Sequence, residues 1–499
     1  MPKKEKPIVL KKIGSINYQK LDWKTVLFVL CMVALFIRFP FFFRDYIDRD
    51  ESTFIIMGQS WVDGHLPYTQ LWDLKPPIVF LFFALIIKVF GKSFIAIRLI
   101  GSLLVALTAF FTYLIGKQMT TKKVAFWAAI FCVVFQSMFG SLQGVMSEHI
   151  CTFFFTVGVF LIFHKKHWGW YLTAGILFGL SVMTKLNMVY PLLTLSLYLL
   201  WEGFRTKQVW HSFKNLTLMG IATILVIALN VLPYYLEGIP LLCWQSIIEA
   251  PMAYSSGKFH SPLKTLPYIL VIFGLFAAGF YTKAIDRNSR DMQLLTAMVI
   301  GILLSYVQSG KVNGHYLIQL YPFVLIPFGM ALSKLRPIPE KFRVVVMVIL
   351  VLLPMETYLE FANIIRNKRE KGTFFNGEGI DVPRYIVDHD LETKNIFFTE
   401  YHIGYWVLGE SPPTKAVTHP SNITREELFP YMQNPRKTGL EELQYIMEVI
   451  QPKTLVARKG KKIFDKKLVE YNTYIDSYLE QHYTLVATVD RGLIYQRLK

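Results

Sequence analysis

The chain has 499 residues, 53% of them hydrophobic and 15% aromatic, with a mean hydropathy of +0.38, an apolar share that excludes an ordinary soluble domain. Its formal charge of +18 sits mainly in short connectors between apolar runs and in the two tails, which orients a membrane protein and argues against nucleic-acid binding. Cys31, Cys132, Cys151 and Cys243 are widely spaced, three of them inside apolar runs, and read as small hydrophobes rather than a disulfide or metal framework.

The basic MPKKEKPIVLKK precedes the apolar run 25–43, whose end FIRFPFFF lacks the small-residue site of a cleaved signal. It is therefore expected to be a retained first span, with residues 1–24 as a cytoplasmic tail. Further apolar runs read as spans, with ends set to within several residues, follow at 94–115, 124–139, 149–163, 170–183, 188–201, 216–235, 266–281, 292–306, 316–333 and 344–358. Residues 25–358 are thus expected to form an α-helical polytopic bundle of about eleven spans, since lipid-exposed backbone must satisfy its own hydrogen bonds. The connectors KQMTTKK, HKKHW, FRTKQVWHSFK, TKAIDRNSR and SKLRPIPEKFR then all fall on the cytoplasmic side. That parity requires residues 78–90 not to cross, and about thirteen residues is short for a span; an interfacial or re-entrant helix within an outer loop 44–92 is expected there.

From 359 to 499 the composition becomes that of a soluble domain. Strand-like NIFFT, KAVTH, TLVAR, YTLVATVD and GLIYQRL alternate with helix-like DVPRYIVDH, TREELFPYM, LEELQYIMEVI and KKLVEYNTYIDSYL, which predicts a small α/β domain on the outer face. Its last two strands read as a hairpin turning at Asp490, Arg491 and Gly492.

The unusual chemistry lies in residues 48–80. DRDESTFIIMGQSWVDG predicts a short amphipathic helix with Asp50 near its start. Capping needs one carboxylate, yet Asp45, Asp48, Asp50, Glu51, Asp63 and Asp73 are all present. A carboxylate beside a bilayer surface can serve as general base toward a hydroxyl or hold a divalent ion, and a nearby lysine can take a phosphate. The plainer alternative is that these acids only cap the helix and keep the loop out of the cytoplasm.

DESTFIIMGQSWVDGHLPYTQLWDLKPPIVFLFFALIIKVFG resembles the first outer loop of the GT-C superfamily, in particular the bacterial relatives of protein O-mannosyltransferases and of the aminoarabinose transferases that modify lipid A. The likeness continues through FGKSFIAIRLIGSLLVALTAFFTYLIGKQM, MSEHICTFFF, MTKLNMVYPLL and GKVNGHYLIQLYPF, and spans most of residues 45–330. It implies a GT-C fold and inverting transfer of a sugar from a polyprenyl-phosphate carrier to a protein, lipid or envelope-glycan hydroxyl at the outer face of a bacterial inner membrane. Asp50 matches the catalytic base and Glu51 a residue that orients it or holds the loop; Glu148 matches a second acidic position, where relatives usually carry Asp.

Lys75 and Lys185 match lysines on the carrier phosphate, although Lys185 also fits a snorkelling anchor. Arg98, Lys311 and His315 are further candidates for that phosphate, with headgroup contact or a solvated turn as the alternatives. Asp73 and His260 fall where some relatives place a divalent-metal pair, but Leu74 separates the acid from Lys75, and a lone interfacial histidine is often only hydrogen-bonded. A transporter would instead place charges near span midpoints in two related halves, and a polyprenyl-linked glycan ligase would keep its large outer loop late in the bundle. No Asp-x-Asp lies on a cytoplasmic connector and no glycine-rich phosphate loop opens a helix, which favours a lipid-linked donor.

Overall fold

The computed structural model describes residues 17–163, 167–256, 262–310, 312–335 and 339–498. The basic tail up to residue 16, His260 and Lys311 lie outside them. Helix α1, Trp23–Arg38, is capped by Asp22, whose carboxylate accepts the Thr25 N–H at 2.7 Å.

Two helices fill the loop 44–92. Helix α2, Arg49–Val62, starts at Asp48, whose side chain accepts the Asp50 N–H at 2.8 Å, and its first turn carries Asp50 and Glu51, where the helix dipole favours negative charge. Helix α3, Pro77–Phe90, begins on proline and stops at Gly91 with φ of 70°. The two helices pack tightly: a Cβ on Gly58 would lie 2.8 Å from that of Phe83, so only glycine permits this approach.

The helices that follow are α4 (Phe94–Met119), α5 (Lys122–Phe135), α6 (Ser147–Phe163), α7 (Trp168–Val182), α8 (Val189–Arg205), α9 (Val209–Leu236), α10 (Leu266–Tyr281), α11 (Arg290–Ser309), α12 (Tyr321–Ser333), α13 (Glu340–Leu352) and α14 (Met355–Lys371). Every apolar run read from the sequence is helical, although 316–333 opens on the 3₁₀ turn Gly314–Gln319 and 344–358 is divided between α13 and α14. Among the described residues, four stretches are long and apolar enough to cross a membrane: Trp23–Phe43, Phe94–Met119, Val209–Leu236 and Arg290–Ser309. The pair α13 and α14, bent by 50°, makes a fifth if it counts as one span. The division expected at residue 359 falls inside α14, which continues unbroken to Lys371.

Beyond α14 come α15 (Glu378–Asp388), strands β1 (Phe397–Phe398) and β2 (Thr454–Arg458), helix α16 (Val469–His482), and strands β3 (Tyr483–Val489) and β4 (Gly492–Arg497). The sheet order is β1-β2-β4-β3, with β1 parallel to β2 and the other pairs antiparallel. The β3–β4 hairpin forms as read and turns at Asp490 and Arg491, while Gly492, expected in the turn, already opens β4 opposite Val489. KAVTH is not a strand: Lys415–Val417 is a 3₁₀ turn. Pro420 follows it and cannot donate to a ladder, and the Thr418 hydroxyl instead accepts the Trp72 N–H at 3.3 Å.

This segment docks on the loop 44–92. Arg49 pairs with Glu400 at 2.7 Å, and the Thr53 hydroxyl meets His402 Nε2 at 3.0 Å. Lys92 donates to the Trp406 carbonyl at 2.9 Å, and Trp406 Nε1 donates to Gln59 at 3.1 Å. One apolar cluster, including Phe54, Trp72, Phe83, Phe94, Phe398 and Trp406, runs through both parts.

Candidate active site

Asp50 stands one residue into α2, its direction fixed by the Asp48 cap. Lys75 precedes the Pro76-Pro77 start of α3, and the loop is held at that point from both sides. The buried Tyr68 hydroxyl donates to the Lys75 carbonyl at 2.6 Å, and the Asp73 carboxylate accepts the Lys75 N–H at 3.1 Å. Lys75 Nζ then lies 3.8 Å from Asp50 Oδ2, with both side chains partly open, 21% and 28% exposed.

On its other oxygen Asp50 meets His419, at 3.3 Å from Nε2. The Ser421 N–H points at His419 Nδ1 at 3.3 Å, which makes Nδ1 an acceptor and leaves Nε2 carrying the hydrogen toward Asp50. Burial opposes the charge of Asp50, but Lys75 and then His419 outweigh it and hold the carboxyl below the usual carboxylate range. Lys75 is the mirror case: burial works against its charge, while Asp50 and Asp73 hold it above the ordinary lysine value. Burial pushes the Asp73 carboxyl up, against the pull of Lys75.

A second polar group faces the first. Glu148, in the opening turn of α6, pairs with Lys185 and lies 3.6 Å from His315 Nε2. Lys185 also rests over the Tyr316 ring at 4.0 Å from its centre. Its carboxylate partner and this ring fix Lys185 in place, unlike a snorkelling anchor. The turns Gly140–Gln143 and Gly314–Gln319, the latter carrying His315, pack together, and Ser141 of the former donates to Asp48 at 2.5 Å. His315 contributes to holding Asp50 charged, which ties the groups electrostatically.

Glu51 and Arg98 lie apart from this opening. Both are buried, 3.0 Å apart. Arg98 directs its other N–H groups to the carbonyls of Phe41 at 2.6 Å, Asp45 at 3.3 Å and Arg44, and Glu51 also accepts the Val145 N–H at 2.8 Å. The pair clamps the entry to the loop onto α4 and the turn before α6. Arg98 has no N–H left to offer a phosphate.

The structure therefore brings together Asp50, Lys75, Asp73, Glu148, Lys185 and His315, and sets Glu51 and Arg98 beneath them as a brace. Lys311 and His260 lie outside the described residues. Among the described residues, no group of three or more His, Cys, Asp or Glu side chains able to hold an ion occurs around Asp73 or elsewhere. The sequence reading missed His419, because it lies in a segment read as a strand and reaches Asp50 only through docking. A histidine beside a proline in a polar segment was the only available signal.

Residues 74–234 match the family model described as dolichyl-phosphate-mannose-protein mannosyltransferase. No curated protein matches the chain. Among solved structures, ArnT from Cupriavidus metallidurans in the apo state is similar with a TM-score of 0.63 and 14% identity, covering 95% of this chain and 98% of that one. The same protein bound to undecaprenyl phosphate gives a TM-score of 0.60 and 14% identity over 95% and 97% of the two chains. The archaeal oligosaccharyltransferase AglB from Archaeoglobus fulgidus, in complex with an inhibitory peptide and a dolichol-phosphate, gives a TM-score of 0.53 and 12% identity over 97% and 75%. The mannosyltransferase model thus matches within the stretch that carries the resemblance read from the sequence, and the solved structures share the fold of nearly the whole chain.

Proposed function

We propose that this protein is an inverting glycosyltransferase that moves a sugar from a polyprenyl-phosphate carrier to an acceptor hydroxyl at the outer face of a bacterial inner membrane, with residues 25–358 as the membrane part and 359–499 as an outer domain. The observation that carries the reading is the partly open Asp50–Lys75 pair, a carboxylate and an ammonium 3.8 Å apart. The matched mannosyltransferase segment and the ArnT and AglB structures, solved with undecaprenyl phosphate and dolichol-phosphate, support the carrier.

In this reading the acceptor oxygen attacks the anomeric carbon, its proton passes to Asp50, and the bond from that carbon to the phosphate oxygen breaks. The carrier phosphate leaves with the electron pair. Lys75, with Lys185 and His315, faces the charge that develops there, which fixed cations stabilise most strongly in a site shielded from water. The resting pair poses a problem that its own geometry solves. A carboxylate held strongly acidic is a weak base. A phosphate that draws Lys75 away from Asp50 removes the main charge holding it down, so donor binding strengthens the base before the acceptor attacks. The divalent ion expected of Asp73 with His260 meets no group of three or more ligating side chains among the described residues.

Asp50→Asn keeps size and the capped helix but removes the proton acceptor. Transfer from polyprenyl-phosphate hexose donors is expected to fall by about 10²–10⁴-fold, with folding and membrane insertion retained. Mass spectrometry of envelope glycans and glycoproteins from cells carrying this variant checks it, and an unchanged glycan profile alongside wild-type transfer rates would sink the reading.

A further inference from the structure

Beside the Asp50 site lies a cleft of about 1310 Å³ to which the mechanism assigns no role. It opens at the carboxyl ends of the two parallel strands, β1 and β2: Thr399 follows β1, and the loop GKKIFDKKL from Gly460 follows β2. The carboxyl ends of parallel strands are where open α/β sheets bind ligands. Its lining carries six cations, Arg49, Arg425, Lys461, Lys462, Lys466 and Lys467, against one carboxylate, Asp465.

The cations are not all neutralised from behind. Arg49 and Lys461 share Glu400, at 2.7 and 2.9 Å, and Lys462 pairs with Asp476. Lys466 and Lys467 are exposed and have no carboxylate within ion-pair distance among the described residues. Two lining residues join the cleft to the base: Arg49 precedes Asp50 in α2, and the Ser421 hydroxyl lies 2.8 Å from Nδ1 of the histidine that holds Asp50.

We infer that this cleft binds the acceptor, and that the acceptor is an acidic saccharide whose carboxylate or phosphate groups lie on units next to the one carrying the attacked hydroxyl. The volume exceeds the roughly 300–1,000 Å³ of a small-molecule pocket, which suits several sugar units. An excess of cations along its length gives a chain of anions both attraction and register. The inference rests on the glycosyl-transfer reading for the word acceptor, but the binding it asserts is measurable without turnover.

The test uses the full chain in neutral detergent and a fluorescein-labelled oligogalacturonate as the carboxylate probe, read by anisotropy. Wild-type protein is expected to bind it, neutral dextran of equal length is not expected to compete, and Lys461→Gln/Lys466→Gln/Lys467→Gln is expected to weaken binding at least tenfold at low salt, with the gap closing as salt rises. A phosphorylated oligosaccharide in parallel reads which anion is preferred. Equal competition by dextran, or unchanged binding in the triple variant, would overturn the proposal. So would a result in which only vesicles containing phosphatidylglycerol bind through these lysines, which assigns the cleft to the membrane surface. Loss of transfer in Asp50→Asn with intact probe binding separates failure of the base from failure of the cleft.

Discussion

Three side chains outside the acid–lysine pair have separable effects. His419 acts through Asp50 as a positioning residue, so His419→Ala is expected to lower kcat about tenfold or more with little change in donor KM. Because His419 helps hold the Asp50 carboxyl down, its loss raises that pKa, and the acidic limb of the kcat/KM profile should move to higher pH. A merely structural role would not move that limb. Arg98 and Glu51 form a buried pair, and removing one partner leaves the other charge uncompensated. Arg98→Met is therefore expected to cost about 3–5 kcal/mol of stability, seen as a lower Tm in detergent and poor yield. Asp45 is buried where α15 begins, accepting the Gly379 N–H, and burial pushes its carboxyl up to about 7. A folded state that binds the proton more tightly than the unfolded chain is favoured at low pH, so this contribution is lost as pH rises from 3.8 to about 7. Asp45→Asn should flatten the Tm profile over that window.

The helices were legible element by element, because a run of apolar residues with basic ends has one physical solution in lipid. Their close packing was not. A Cβ on Gly175 of α7 would lie 2.3 Å from the Met219 carbonyl oxygen of α9, and one on Gly179 would lie 2.7 Å from Val226 Cβ, so α7 and α9 touch through glycine. Gly175→Val should destabilise by about 1–3 kcal/mol or more, whereas Gly220→Ala in α9, with open space around its added carbon, should be neutral or slightly stabilising. A thermal-shift comparison of the two variants checks this. Asp50, Asp73, Lys75 and the Pro76-Pro77 start of α3 could be read together because they are close in sequence. KAVTH alternates like a strand over only five residues, a weak signal, and the Trp72–Thr418 contact that overrides it comes from over three hundred positions away.

At the scale of the molecule, the site joins the loop after the first helix to the segment beyond α14. Trp406 is a main tie, with its ring edge-on to Phe94 at 4.9 Å, its indole on Gln59 and its carbonyl on Lys92. Trp406→Ala should make residues beyond α14 more sensitive to limited proteolysis and lower transfer while leaving Asp50 and Lys75 in place; equal protease resistance with reduced transfer would contradict the docking account. Arg49 and Glu400 are separated by 351 positions. During synthesis, then, the ribosome delivers Asp50 early and His419 hundreds of residues later, so the proposed site stays incomplete until most of the chain has been made. In a genetic screen, lesions around residues 400–421 should accordingly mimic active-site lesions, although they map to the far end of the reading frame.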